Sequence, residues 1–189
     1  FSEKGYHSAK VSQIVDHVGV AQGTFYLYFE GKQQLFSEIL NDFLSMLVET
    51  IASWEPAELD SREALRSELR RVGLMLTDAL MENRELTAIF FNESLAVAPE
   101  LQKLIREFYD TLGSMLTSFN RILHERGLIG NMNYEVLAYM TIGMVERVIE
   151  EYVVYETFED VSPGELVDNL IAHYLAGTSD QVEEAMDKE

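Results

Sequence analysis

One short run of this 189-residue chain concentrates side chains that could do chemistry: Gln22-Gly23-Thr24-Phe25-Tyr26-Leu27-Tyr28-Phe29. It is about two helical turns long and rich in aromatics. At roughly 100° per residue, Phe25 and Phe29 share one side, Gly23, Thr24 and Leu27 point the other way, and Tyr26 and Tyr28 take opposite flanks. A small helix clamped by two buried rings, offering small residues between two phenolic hydroxyls, suits a DNA groove. The hydroxyls reach phosphates on either wall while the outer face approaches base edges. Gln22, Gly23, Thr24 and Leu27 are therefore expected to face the major groove. Ser8, Lys10, Tyr26, Tyr28 and Lys32 are expected to hold phosphates.

Catalytic and metal chemistry finds no comparable foothold. A di-iron bundle needs glutamate three residues before histidine, but Lys4, Ile14, Arg121 and Leu170 precede His7, His17, His124 and His173. Gly31-Lys32 lacks the upstream glycine and the following hydroxyl of a phosphate loop. Gly113-Ser114 lacks the strand and flanking glycine of a nucleophile elbow. With no cysteine there is neither a thiolate metal site nor a disulfide framework, which fits a cytoplasmic protein. No catalytic residue, metal site or cofactor is expected, and an enzyme is the poorer reading.

The elements that must position the aromatic run are helical. Val11, Ile14, Val15 and Val18 recur at helical spacing, and Gly19 ends that run in a turn. Lys32 to Trp54 follows as a long amphipathic helix with Leu35, Phe36, Ile39, Leu40, Phe43 and Leu47 on its apolar stripe, stopped by Glu55-Pro56. Asp60-x-x-Glu63 resembles a capping box for a helix that ends near Asn83. A short helix from Leu86 to about Leu95 comes next. Pro99 opens a long one that keeps its period to Gly127. Asn133 caps a helix running through Tyr152, and Ser162-Pro163-Gly164-Glu165 opens the last, which closes at Gly177. No stretch alternates with period two, so the chain reads as all-α. Three parts are expected: a helix-turn-helix domain over 1–48, a helical body over 49–178, and a polar tail over 179–189.

Phe1-x-x-Lys4-Gly5-Tyr6, the helix Val11 to Val18, Gly19-Val20-Ala21-x-Gly23-Thr24-x-Tyr26-x-Tyr28-Phe29 and Lys32-x-x-Leu35 together resemble the helix-turn-helix signature of TetR-type transcriptional regulators. The resemblance covers about the first third of the chain, a dozen residue types in register without a gap. Three positions depart from it. Ala9 and Lys10 stand where threonine or serine usually opens the second helix, which makes Ser8 the alternative cap. Leu27 replaces a frequent tyrosine, and Gly31 replaces a serine or asparagine. The chain also begins on Phe1 without an initiator methionine. A missing start is expected, which in the resembled family holds most of the first helix and often a basic arm. The wording Gly5-Tyr6-His7 and Tyr26-Leu27-Tyr28-Phe29 is similar to regulators of fatty-acid breakdown that respond to acyl-CoA.

The resemblance implies an N-terminal DNA-binding domain followed by an effector-binding and dimerisation domain: a ligand-responsive regulator, a repressor released from a near-palindromic operator by a small, largely apolar effector. The competing class is a helical ligand-binding or protein-interaction module with a vestigial helix-turn-helix. The charge bears on both. Net charge is −19, which opposes DNA binding if spread evenly. Through Trp54, however, three lysines stand against six acidic residues, a balance of −3, so the remainder carries −16. An acidic body either favours docking through the reading head alone or is simply a solvated surface. The longest apolar stretch, Leu137 to Val145, is too short to span a bilayer, so no membrane association is expected.

Within the body, Phe90, Phe91, Phe108, Tyr109, Leu112, Met115, Tyr139 and Met144 either line an effector pocket or are ordinary core. Arg147 either holds an anionic head group or pairs with Glu146, Glu150 or Glu151. Met140, Gly143, Leu166, Asn169, Leu170, His173 and Tyr174 form apolar stripes that suit a homodimer contact or packing within one subunit. The resemblance favours the dimer, whose two reading helices would span a double-stranded operator.

Overall fold

The structure, a computed structural model, describes residues 1, 4–54, 59–93 and 99–179, without the side chains of 92 and 93. Among these residues helices are the only regular elements, and no strand is present. Helix α1 (Gly5–Ser8), α2 (Val11–Val18) and α3 (Gln22–Tyr28) make a small head. The body is built from α4 (Lys32–Ala52), α5 (Arg62–Glu82), α6 (Arg84–Glu93), α7 (Pro99–Glu125), α8 (Tyr134–Ile149) and α9 (Pro163–Gly177). The expected polar tail from 180 and the Glu55-Pro56 stop lie outside the described residues, as does the expected helix end at Leu95.

Local chemistry sets most boundaries. Gly19 closes α2 at φ 77°, a left-handed conformation that L side chains resist. The Asn133 side chain accepts from the Val136 N–H, and Ser162 accepts from the Glu165 N–H with Pro163 in the first turn. Two expected caps are different. At α5 the acceptor is Ser61, bonded to the Ala64 N–H at 3.1 Å, not Asp60. At α2 the N-cap is Lys10 and Ser8 ends α1; the Gln13 side chain reaches back to the Lys10 N–H at 3.1 Å. The last turn after α8 widens into a π-helix over Glu150–Val154, an element the regular spacing through Tyr152 concealed.

Helix α4 joins head to body without a break, so the expected boundary at 48 falls inside one helix. Its Phe36, Leu40, Phe43, Leu44 and Leu47 are buried in one core with Tyr6 of the head and Ile89, Phe90, Leu101 and Phe108 of the body. A second core gathers Leu65, Phe119, Leu123, Val167 and Ile171. Two glycines allow close helix approach. A Cβ on Gly73 would lie 2.8 Å from Val167 Cγ1, and one on Gly113 would lie 2.9 Å from the Tyr139 ring. Between α7 and α9 the buried Tyr174 hydroxyl donates to Asn120 Oδ1 at 2.7 Å.

Candidate nucleic-acid interface and effector cavity

In α3 the side-chain partition follows the helical wheel. Phe25 is buried, and its ring lies 5.4 Å from that of Phe29, which sits just past the helix end and is only half-buried, so one of the two rings expected to be buried is so. Full burial of a ring such as that of Phe25 contributes about 1.5–3 kcal/mol to a seven-residue helix that lacks a side-chain cap. The opposite side is open. Gln22, Gly23 and Thr24 are exposed, and Tyr26, Leu27 and Tyr28 are 52%, 80% and 72% exposed. No atom approaches the Gly23 Cβ direction within 4 Å, so the backbone there is free for close approach by a partner. Ser8, at the end of α1, and Lys10, the N-cap of α2, are exposed as well.

Lys32 departs from the phosphate-binding expectation. Its Nζ donates to the carbonyl oxygens of Tyr6, His7 and Ala9 at 2.7, 2.9 and 2.9 Å and lies 4.7 Å over the Tyr6 ring. An ammonium has three hydrogens, and all three are used. The reason is the end of α1, whose last carbonyls have no partner within the helix and draw a cation. Lys32 therefore ties α1 to the start of α4. Val18 also departs from expectation: it is 66% exposed, as is Val20 at 41%. Both flank the Gly19 turn that leads into α3. Their signal was the turn itself, which takes the chain off the apolar stripe of α2.

Among the described residues, two adjoining apolar cavities lie in the body, enclosed by helices from α4 to α9. One, of about 180 Å³, is bounded by Phe90, Phe91, Phe108, Tyr109 and Leu112, which also belong to or pack against the first core. The other, about 150 Å³, reaches Val167 and Tyr174. Leu76, Leu116, Thr141, Val145 and Ile149 border both, so they lie end to end. The remaining expected pocket residues sit elsewhere relative to the aromatic cavity. Met144 borders the second cavity, and Met115 faces a small one beside Trp54. Tyr139 lies over Gly113 and is 47% exposed, because its ring fills the place a Cβ would take. Arg147 is turned outward to Glu150, at 2.5 Å, and to Glu151, so its charge is already paired.

One residue that sequence reasoning treated only as a partner for Arg147 borders the aromatic cavity: Glu146. It accepts a hydrogen bond from the Tyr109 hydroxyl. Burial, then that bond and the nearby carboxylate charge, push the Tyr109 hydroxyl well above its ordinary range. The signal was present in the spacing. Ile142, Val145, Glu146 and Ile149 fall at i, i+3, i+4 and i+7, so a charged residue stands on the inward stripe of α8.

Of the expected dimer stripe, Met140, Gly143, Asn169 and His173 are exposed, Met140 at 65%. Leu170 is half-buried beside a shallow apolar groove that Met144, Val148 and Phe158 continue. Two members belong to the subunit's own interior. Leu166 is buried, and Tyr174 is turned inward by its bond to Asn120.

Similarity to known proteins agrees with this anatomy. Residues 1–39 match the family model of the bacterial regulatory proteins, tetR family. The chain is 28% identical over 176 residues to the HTH-type transcriptional regulator YdgC of Bacillus subtilis, covering 92% of this chain and 85% of that one. It is 43% identical over 54 residues to the fatty acid metabolism regulator protein of Bacillus subtilis, covering 26% of this chain and 28% of that protein. Among solved structures, the transcriptional regulator FadR from Bacillus subtilis in complex with stearoyl-CoA has the same fold, with a TM-score of 0.72 at 20% identity over 93% of this chain and 92% of that one. An exposed two-turn helix on a head that matches this family model over residues 1–39, ahead of an all-helical body, gives the chain the helix-turn-helix of the tetR family and makes it similar to DNA-binding transcriptional regulators along most of its length.

Proposed function

We propose that the protein is a repressor that binds a near-palindromic operator as a homodimer and leaves it when a small, largely apolar effector occupies the body. The observation that carries this reading is the inside-out division of α3, with Phe25 buried and Tyr26, Leu27 and Tyr28 exposed. Gln22, Gly23, Thr24 and Leu27 would read base edges, and Ser8, Lys10, Tyr26 and Tyr28 would hold phosphates. Residues 1–48 would act as the reading domain and 49–178 as the effector and dimer domain. The exposed Met140 and Gly143, with the apolar groove beside Leu170, support an isologous contact across α8 and α9. Effector in the paired cavities would favour a dimer whose two α3 helices no longer match the operator spacing. By linkage, operator DNA must then weaken effector binding by the same factor.

The test is a gel shift on DNA upstream of the protein's own gene, repeated across salt concentrations. The expected result is a discrete complex, weakened by salt and resistant to excess unrelated DNA. Equal competition by unrelated DNA at every salt concentration would overturn the proposal.

A further inference from the structure

The aromatic cavity is lined by apolar side chains apart from Thr141, whose hydroxyl donates to the Leu137 carbonyl, and the Tyr109–Glu146 pair. Phe90, Phe91 and Phe108 surround it, with ring centroids of Phe90 and Tyr109 6.3 Å apart and those of Phe108 and Tyr109 5.4 Å apart. Among the described residues no lysine, arginine or histidine borders this cavity or the one adjoining it. None pairs with Glu146 either. Of the residues outside those described, 2–3, 55–58 and 94–98 contain no basic side chain and 180–189 contain one, Lys188. The nearest cation along the chain, Arg147, is spent outward on Glu150 and Glu151.

We infer that the cavity selects a lipophilic cation, an ammonium group on an apolar body, with Glu146 as its counter-charge and the Phe90, Phe91 and Phe108 rings as its walls. This rests on the reading of the cavity as the effector site. A half-buried carboxylate at the edge of an apolar space costs solvation that one neutral hydroxyl offsets only in part. An ammonium offers it a full opposite charge, and ring faces attract the same charge through their quadrupoles. A ligand carboxylate or phosphate meets the opposite situation: it would sit beside Glu146 with no cation to balance either charge. The fatty-acid regulator with bound stearoyl-CoA shares the fold at 20% identity, a level that leaves the lining of a cavity free to differ.

Calorimetric titration of the full chain with decylamine, decanol and decanoate at 0.15 M salt tests this, because the three probes share a chain and differ in the head. Decylamine is expected to bind at least about tenfold more tightly than decanoate, with decanol between them. Glu146→Gln, which keeps the size and the acceptor for Tyr109, is expected to bring decylamine down to the level of decanol and leave decanol unchanged. Tyr109→Phe, which frees the carboxylate, is expected to retain or strengthen decylamine binding. Decanoate binding as tightly as decylamine overturns the inference while leaving the cavity reading intact, as does an amine preference that survives Glu146→Gln and so belongs to the acidic surface. Failure of all three probes to bind overturns the cavity reading together with the inference.

Discussion

On the proposed reading, the Tyr26 and Tyr28 hydroxyls and the Gln22 amide would divide two jobs that a short helix must perform at once. A phenol on a phosphate adds affinity without reading sequence, whereas an amide can bond a base edge in a pattern that differs between base pairs. Tyr26→Phe is therefore expected to weaken operator and unrelated DNA by a similar factor, about threefold to tenfold. Gln22→Ala is expected to change which bases are preferred within the site, as read by selection from a randomised duplex; an unaltered preference would remove Gln22 from the reading face. Lys32 belongs to neither job. Its ammonium holds the carbonyls of Tyr6, His7 and Ala9, so Lys32→Met should destabilise the head by about 1–3 kcal/mol. In a salt titration the slope of log affinity against log salt should stay unchanged. A phosphate-bound lysine would lower its steepness by about 0.9.

At the scale of elements, the body depends on how closely its helices approach. Alanine at an interior helical glycine gains about 1 kcal/mol of helix propensity. At Gly73 that gain meets Val167, which is buried and stiff, and overpacking of this kind costs about 1–3 kcal/mol. At Gly113 the obstacle is the Tyr139 ring, half-exposed and able to swing away. Gly73→Ala should therefore lower the urea midpoint, and Gly113→Ala should leave it unchanged or raise it; the reverse order would contradict this packing. The Tyr174–Asn120 bond gives a pH signature. Burial raises the Tyr174 hydroxyl above its usual value of 10.0, so the unfolded chain loses that proton first as pH rises. The stability it contributes is complete below pH 10 and is lost above it. Tyr174→Phe should cost about 1–3 kcal/mol near neutral pH, by stranding Asn120 Oδ1, and should flatten the alkaline fall.

At the scale of the whole molecule, an acidic body is joined to a small head by the unbroken helix α4, and Tyr6 of the head is packed in the same core as Phe90 and Phe108 of the cavity wall. On the proposed function, contact continuity of this kind would give effector and DNA a shared set of packed side chains through which to bias one another. Much of this anatomy was legible in the chain. The wheel of α3, the Gly19 turn and the Asn133 and Ser162 caps all follow from local rules of spacing and capping. What escaped depends on which element lies opposite. Lys32 reads as a free surface cation until the end of α1 is placed against it. Tyr174 reads as an interface residue until Asn120 of α7 is found facing it, and Tyr139 as a pocket aromatic until Gly113 makes room for its ring. Glu146 lay between these cases: its spacing was inward, yet only the aromatic wall around it gives that placement meaning.

The central claim is that two heads read one operator together. Footprinting on the upstream DNA, combined with the mass of the complex by sedimentation, tests it most directly. Two chains per duplex and two protected half-sites about 10 base pairs apart, or a multiple of that spacing, is the expected outcome. One chain per site, or uniform protection without half-sites, would contradict it.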